Sequence, residues 1–177
     1  MARAEPLCGV PAGVDLAAHL SGDWTLTVVH ARAYAGRMQL RAPFSEPERV
    51  TLALSETAPK GITGTLTVKS VPLAAHLHPT GAFAIEASKD HYDGFSHSVP
   101  HMSDAERGAL TGCDIRTLPQ ISAQIVTPQA ENAIELVAMG PNLLLGAQVT
   151  TLKDPQTPEM RIISALVLRR PTSGDFE

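Results

Sequence analysis

The chain has 177 residues, which is the length of one domain. Apolar residues make up 44% of it and charged residues 18%, a globular rather than a disordered composition. Fourteen Lys and Arg against eighteen Asp and Glu give a formal net charge of -4. No run of like charges exceeds the pair Arg169–Arg170, so we expect no nucleic-acid partner. No stretch approaches the roughly 18 apolar residues of a membrane-spanning helix, so we expect none.

The N-terminal segment and the two cysteines help to predict the cellular compartment of the protein. Ala2 and Ala4 form the small-x-small pattern that precedes a signal-peptidase cleavage site, although an ordinary polar N-terminus fits equally well. Cys8 and Cys113 form no Cys-x-x-Cys motif, and we expect them to form one disulfide in a periplasmic or secreted protein. Such a bond closes a loop of roughly 100 residues, worth about 4.7 kcal/mol in the chain-entropy model. The alternative is two unpaired thiols in a cytosolic protein.

Apolar and polar residues alternate along most of the chain after residue 20, as in half-buried strands. Eight segments carry this alternation, and they are 24–30, 50–55, 62–68, 82–88, 121–127, 132–139, 143–152 and 161–170. Residues typical of turns lie between most of them. Helical patterns are short: one turn is predicted within 14–20, and another short helix begins at the capping box 103–106.

Eight sequential strands predict an all-β fold. Because an open sheet leaves two unpaired edges, we expect an eight-stranded antiparallel up-and-down barrel, with a β-sandwich as the alternative. Residues 1–20 are the predicted lead-in, and 21–177 the single barrel domain. One link is long, the insertion at 89–120, which carries the second helix. We expect function to concentrate there, because a link of this length in a compact domain is usually functional or held by other contacts.

The two ends of the strand pattern resemble a known family. Gly22-Asp23-Trp24 opens the first strand with the only tryptophan, and Arg169-Arg170 follows the last apolar run. This arrangement resembles the lipocalin-type (calycin) barrel, in which a basic residue from the end of the last strand packs across the indole. The resemblance implies a lipocalin-like fold and a cation–π contact of about 0.5–2 kcal/mol. The insertion at 89–120 and the lack of a Thr-Asp-Tyr-like motif depart from the secreted lipocalins.

Catalytic signatures are missing from the sequence. There is no phosphate-binding glycine loop, no His-Glu-x-x-His motif and no dinucleotide fingerprint. The segment 94–98, Gly-Phe-Ser-His-Ser, lacks the second glycine of a nucleophile elbow. We therefore assign no catalytic residue and favour a non-enzymatic protein, with an enzyme left open.

Histidines are the chemically distinctive feature. Five of them fall between positions 76 and 101, namely His76, His78, His91, His97 and His101. Neutral imidazole binds both zinc and copper, so these five residues are candidate metal ligands. The alternative is a solvated loop whose histidines titrate individually.

The leading functional hypothesis is an exported, non-enzymatic binding protein whose barrel interior takes a small apolar ligand. Alternation places His30 on the face of Trp24, towards the interior. The candidate ligand-binding residues are Trp24, His30, Tyr92, Phe95 and Arg169. One alternative is an accessory subunit of a cell-envelope assembly, or an inhibitor, acting through the 89–120 loop. Another is a metal-binding protein that uses the histidines.

Overall fold

The computed structural model describes residues 15–41, 45–57, 59, 61–79, 118–156 and 159–171. Within them lie one helix and nine strands, which are α1 (Leu16–Leu20), β1 (Gly22–Ala35), β2 (Met38–Arg41), β3 (Glu48–Thr57), β4 (Gly61–Val68), β5 (Val71–His78), β6 (Gln120–Val126), β7 (Ala130–Gly140), β8 (Leu143–Leu152) and β9 (Met160–Arg169).

Eight of these strands close into an antiparallel barrel, as predicted. Each strand from β3 to β8 pairs with the next one along the chain, and β1 pairs with β3 on one edge and β9 on the other. The β1–β9 ladder extends from Thr25–Arg169 to Ala35–Met160. The ninth strand, β2, pairs with the C-terminal part of β1, beyond the residues that pair with β3.

One barrel strand was placed wrongly by the sequence pattern. The fourth strand of the barrel is β5, where no strand was predicted, whereas the predicted strand at 82–88 lies outside the described residues. The reason is local chemistry. Lys69 and Ser70 make the β4–β5 turn with positive φ angles of 48° and 65°, without the glycine or asparagine that usually marks such a turn. Pro72 and Ala74 occupy outward positions of β5, so polar residues do not alternate there.

The barrel has two structurally different ends. At the first, here called the α1 end, lie α1, the start of β1, the β3–β4 and β7–β8 turns and the end of β9. The opposite end, the β2 end, carries the β1–β2 hairpin and the β4–β5, β6–β7 and β8–β9 turns. The link between β5 and β6 leaves and returns at the α1 end, because His78 pairs with Gln120.

Two glycines allow adjacent strands to approach closely. A Cβ atom on Gly64 in β4 would lie 1.8 Å from the carbonyl oxygen of Ala53, and one on Gly146 in β8 would lie 1.9 Å from that of Glu135. β4 and β8 lie on opposite sides of the ring of eight strands. The close approach of the neighbouring strand at these two positions therefore depends on the absence of a side chain.

Several sequence predictions lie outside the described residues. Cys8 and Cys113, with their proposed disulfide, belong to this group, as do the helix beginning at 103 and almost all of the 89–120 insertion. These stay predictions. Among the described elements, no helix combines the length and the apolar character needed to span a membrane.

Candidate functional site

The α1 end of the barrel is sealed by packing around Trp24. Its side chain is fully buried, and its indole N–H donates to the carbonyl oxygen of Leu20 at 3.1 Å. The guanidinium carbon of Arg170 lies 4.0 Å from the centre of the indole ring. The same guanidinium donates to the carbonyl oxygens of His19 at 2.7 Å and Ser21 at 2.9 Å, so it joins the first and last elements of the barrel. Burial lowers the pKa of Arg170, but an arginine stays protonated in proteins.

The arginine on the indole is the second of the predicted pair. The sequence offered both Arg169 and Arg170 for the contact with the indole and named Arg169 as a candidate ligand-binding residue; the structure puts Arg170 over Trp24. Arg169 is an exposed β9 residue in register with Thr25 and Leu143. Because Trp24 is fully buried at the sealed end, its side chain is part of the hydrophobic core.

A register shift in β1 changes which residues face the interior. Up to Val28 the even-numbered residues face the core; the register then shifts between Val28 and His30. Beyond the shift the inward face carries Ala31 and Ala33, in register with Ser164 and Ile162. The alternation that starts at Trp24 therefore does not extend to His30, and the side chain of His30 lies outside what the structure describes.

The interior towards the β2 end holds a cluster of polar side chains. Gln148 donates from its amide nitrogen to the side-chain oxygen of Asn132 at 3.1 Å and to the hydroxyl of Thr150 at 3.4 Å. Thr150 in turn donates to the Asn132 oxygen at 3.5 Å. Gln148 is in register with Ile134, whose side chain belongs to the buried core, so the cluster faces inward. Ser164, the partner of Gln148 on β9, is also buried.

Apolar side chains at the same end face inward but remain open to solvent. Met38 and Leu40 of β2 are 64% and 60% exposed. They are in register with Ala35 and Ala33, so they share the inward side of the β1–β2 ribbon. Leu66, Leu73 and most other leucines of the core are no more than 2% exposed. Large side chains thus fill one half of the barrel, whereas the inward-facing side chains of the other half are smaller, polar or partly exposed. We call the second half the cup.

A concave region lies on the outer face of the barrel. It is a groove of about 660 Å³ across β4, β5, β6 and β7. Its polar lining includes His76, His78, Ser122 and Glu135. The two imidazole rings are stacked with centres 4.3 Å apart, and the Ser122 hydroxyl lies 3.4 Å from Nε2 of His78.

The protonation of two groups in the groove is shifted towards the neutral form. Burial lowers the pKa of His78, with a smaller contribution from the neighbouring His76. Burial raises the pKa of Glu135. Glu135 and Ser122 were not among the predicted site residues. Their position beside the histidines follows from the pairing of β5, β6 and β7, which no local pattern encodes.

The structure brings together His76 and His78 of the five candidate metal ligands. His91, His97 and His101 lie outside the described residues, as do the candidate ligand-binding residues Tyr92 and Phe95. Within the described ranges, no group of three or more His, Cys, Asp or Glu side chains is arranged to hold a metal ion.

Comparison with known proteins gives no family assignment. No protein-family model matches the chain, and neither the curated proteins nor the solved structures contain a match. The closed antiparallel barrel of eight strands is compatible with a lipocalin-like fold. Any function must therefore be inferred from the geometry of the chain itself.

Proposed function

We propose that this protein is a non-enzymatic carrier of a small, mostly apolar ligand, which it takes into the cup at the β2 end of a lipocalin-like barrel. The observation that carries the proposal is the contrast along the barrel axis. Inward-facing leucines fill the α1 half, whereas inward-facing side chains of the other half are smaller, partly polar and partly exposed. An eight-stranded barrel has room for one small ligand in such a space.

The apolar rim favours an apolar ligand. Met38 and Leu40 expose most of their surface on the inward side of the β1–β2 ribbon, and Ile162 faces the same space from β9. Covering apolar surface is favourable by about 25 cal/mol per Å². A ligand that covers these side chains gains that free energy without rearranging the barrel wall.

The polar cluster favours a ligand with one neutral hydrogen-bonding group. Among the described contacts, the amide nitrogen of Asn132 and the amide oxygen of Gln148 carry no hydrogen bond, so one donor and one acceptor remain available. A hydroxyl, carbonyl or amide group satisfies such a pair, and the cluster itself contains no charged side chain. A buried polar group without a partner costs about 1–3 kcal/mol, so the cluster also selects against a ligand with no polar group.

The Trp24–Arg170 contact supports a lipocalin-like relationship, since it is the feature on which the resemblance was based. Export to the periplasm or the exterior, with the Cys8–Cys113 disulfide, belongs to the same proposal.

The test is binding of the neutral fluorescent probe N-phenyl-1-naphthylamine to the full chain. Ala33→Trp places a large side chain on the inward face of the cup and is expected to weaken binding at least tenfold. The matched control is Val126→Trp, because Val126 is 62% exposed on the outward face of β6 at the same end of the barrel. We expect the control to bind as the wild type does.

Unchanged probe binding in the Ala33→Trp variant would overturn the proposal. Equal affinity in Ala33→Trp and wild type means that the probe does not enter the cup. Thermal melts of both variants verify that the barrel is folded in each case. Native mass spectrometry of the protein from its own source then identifies what the cup carries.

A further inference from the structure

The outer groove holds two histidines whose placement is independent of the cup. His76 and His78 are two residues apart on β5, so their side chains leave the same face of the strand. Their neighbours Ala75 and Leu77 face the core, which directs both imidazoles outward. Both histidines are exposed, and their stacked rings lie nearly parallel, with an interplanar angle of 8°.

Little in the groove holds the two rings in their stacked arrangement. The contact between the Ser122 hydroxyl and Nε2 of His78 is long, at 3.4 Å. Gly61 leaves room beside the other ring, because even a Cβ atom there would be 3.8 Å from Nε2 of His76. Both rings can therefore turn about their side-chain torsions to present one nitrogen each to the same point.

We propose that His76 and His78 form a two-nitrogen chelate for a divalent transition-metal ion, with Cu²⁺ preferred, on the outer face of β5. Water completes the coordination sphere. Imidazole nitrogens suit both copper and zinc, and nitrogen sites generally bind Cu²⁺ more tightly than the other divalent ions of the series.

The charge around the groove is compatible with a cation. Glu135 lies one strand beyond Ser122 in the same row of register partners, His76–Ser122–Glu135. Thr63, the partner of His76 on β4, is uncharged, and Gln124 on β6 is uncharged as well. No lysine or arginine is among the residues that line the groove. The only formal charge in the lining besides the histidines is thus a carboxylate, which favours a bound cation.

The test is titration of the full chain with Cu²⁺. Calorimetry measures the affinity, and electron paramagnetic resonance counts the coordinated nitrogens. In the wild type we expect one site with two coordinated imidazole nitrogens. His76→Ala and His78→Ala are each expected to weaken that site at least tenfold and to leave one imidazole nitrogen in the spectrum. The matched control is His19→Ala, because His19 is an exposed histidine on α1, away from the groove.

The Cu²⁺ titration tests the metal site independently of the proposed carrier function. If either β5 variant binds Cu²⁺ with wild-type affinity, the ion is held elsewhere and the proposal is wrong. The same holds if His19→Ala weakens binding as much as the β5 variants do. Naphthylamine binding in the cup is expected to be unchanged in all three variants, so failure of one proposal does not imply failure of the other.

Discussion

The α1 end and the β2 end of this barrel are built from the same strands but use them differently. At the α1 end Trp24, Leu20 and Leu168 are completely buried, and Arg170 connects the last strand to the first. At the β2 end the inward positions carry alanines, amides and hydroxyls, and Met38 is mostly exposed. The comparison teaches that the stability of the barrel resides in one half, which leaves the other half free to vary its side chains for recognition.

The largest expected effect comes from removing the centre of the sealed end. Trp24→Ala deletes a fully buried side chain, its hydrogen bond to Leu20 and its contact with Arg170. We expect a loss of about 3–5 kcal/mol in the free energy of unfolding, measured by urea denaturation. Ile162→Ala, the comparison at the β2 end, removes a partly exposed inward side chain and is expected to cost about 1 kcal/mol. Equal losses of unfolding free energy in the two variants would contradict the proposed difference in stability between the two ends.

The next effect concerns the close approach of strands between the two ends. Gly146→Ala puts a Cβ atom against the carbonyl oxygen of Glu135, so β7 and β8 must move apart. We expect a loss of about 1–3 kcal/mol, as for other overpacked sites. Gly140→Ala is the control, because nothing lies within 4 Å of a Cβ atom at that position. A thermal melt in which both variants match the wild type would show that β8 adapts without cost.

A smaller effect distinguishes the two adjacent arginines. Arg170→Met removes the charge above Trp24 and the hydrogen bonds to the α1 segment but keeps an apolar side chain, and we expect a loss of about 1–2 kcal/mol. Arg169→Met changes an exposed residue of β9 and is expected to alter stability by less than about 0.5 kcal/mol. Chemical denaturation of the pair checks this. A larger loss in Arg169→Met would reassign the role within the pair.

The smallest effect extends the comparison to the outer groove. Burial raises the pKa of Glu135 above the ordinary glutamate value of 4.5, so the folded state favours the protonated form. The resulting stabilisation is present below pH 4.5 and is lost as the pH rises through the folded-state pKa. Glu135→Gln should therefore melt slightly above the wild type at pH 7, and the difference should decrease towards pH 4.

Glu131→Gln provides the control for this pH dependence. Glu131 lies on the same strand and pairs with Lys153 at 3.3 Å. Its substitution removes a surface ion pair, which contributes at most about 1 kcal/mol, and should not raise the melting temperature at pH 7. If Glu135→Gln fails to melt above the wild type at neutral pH, the carboxyl group is better solvated than its burial suggests.

The barrel could be predicted from the sequence because most strands bury one face, and a half-buried strand alternates apolar and polar residues. The prediction missed β5 because the Lys69–Ser70 turn lacks the usual turn residues and because Pro72 interrupts the pattern. The prediction also extended the alternation of β1 through a register shift that no single residue signals. The inward position of the His30 side chain stays a prediction.

The candidate sites were harder to predict than the fold, for a physical reason. The cluster of Asn132, Gln148 and Thr150 joins two strands, and the groove that contains His76 and Glu135 joins residues from β5 and β7. Such neighbours depend on strand register, which is set by the whole ladder rather than by any short segment. Only the His-x-His spacing on β5 was visible in advance.

The short strand β2 has a consequence for self-association. It pairs only with β1, whereas every other strand in the described part of the chain pairs with at least two strands, so one side of β2 presents backbone N–H and C=O groups. A second chain could add to such a template, yet the strand is only four residues long and ends in the charged Arg41. Short length and charge are the usual protections against aggregation by strand addition, which lets the ribbon project without linking molecules into fibres.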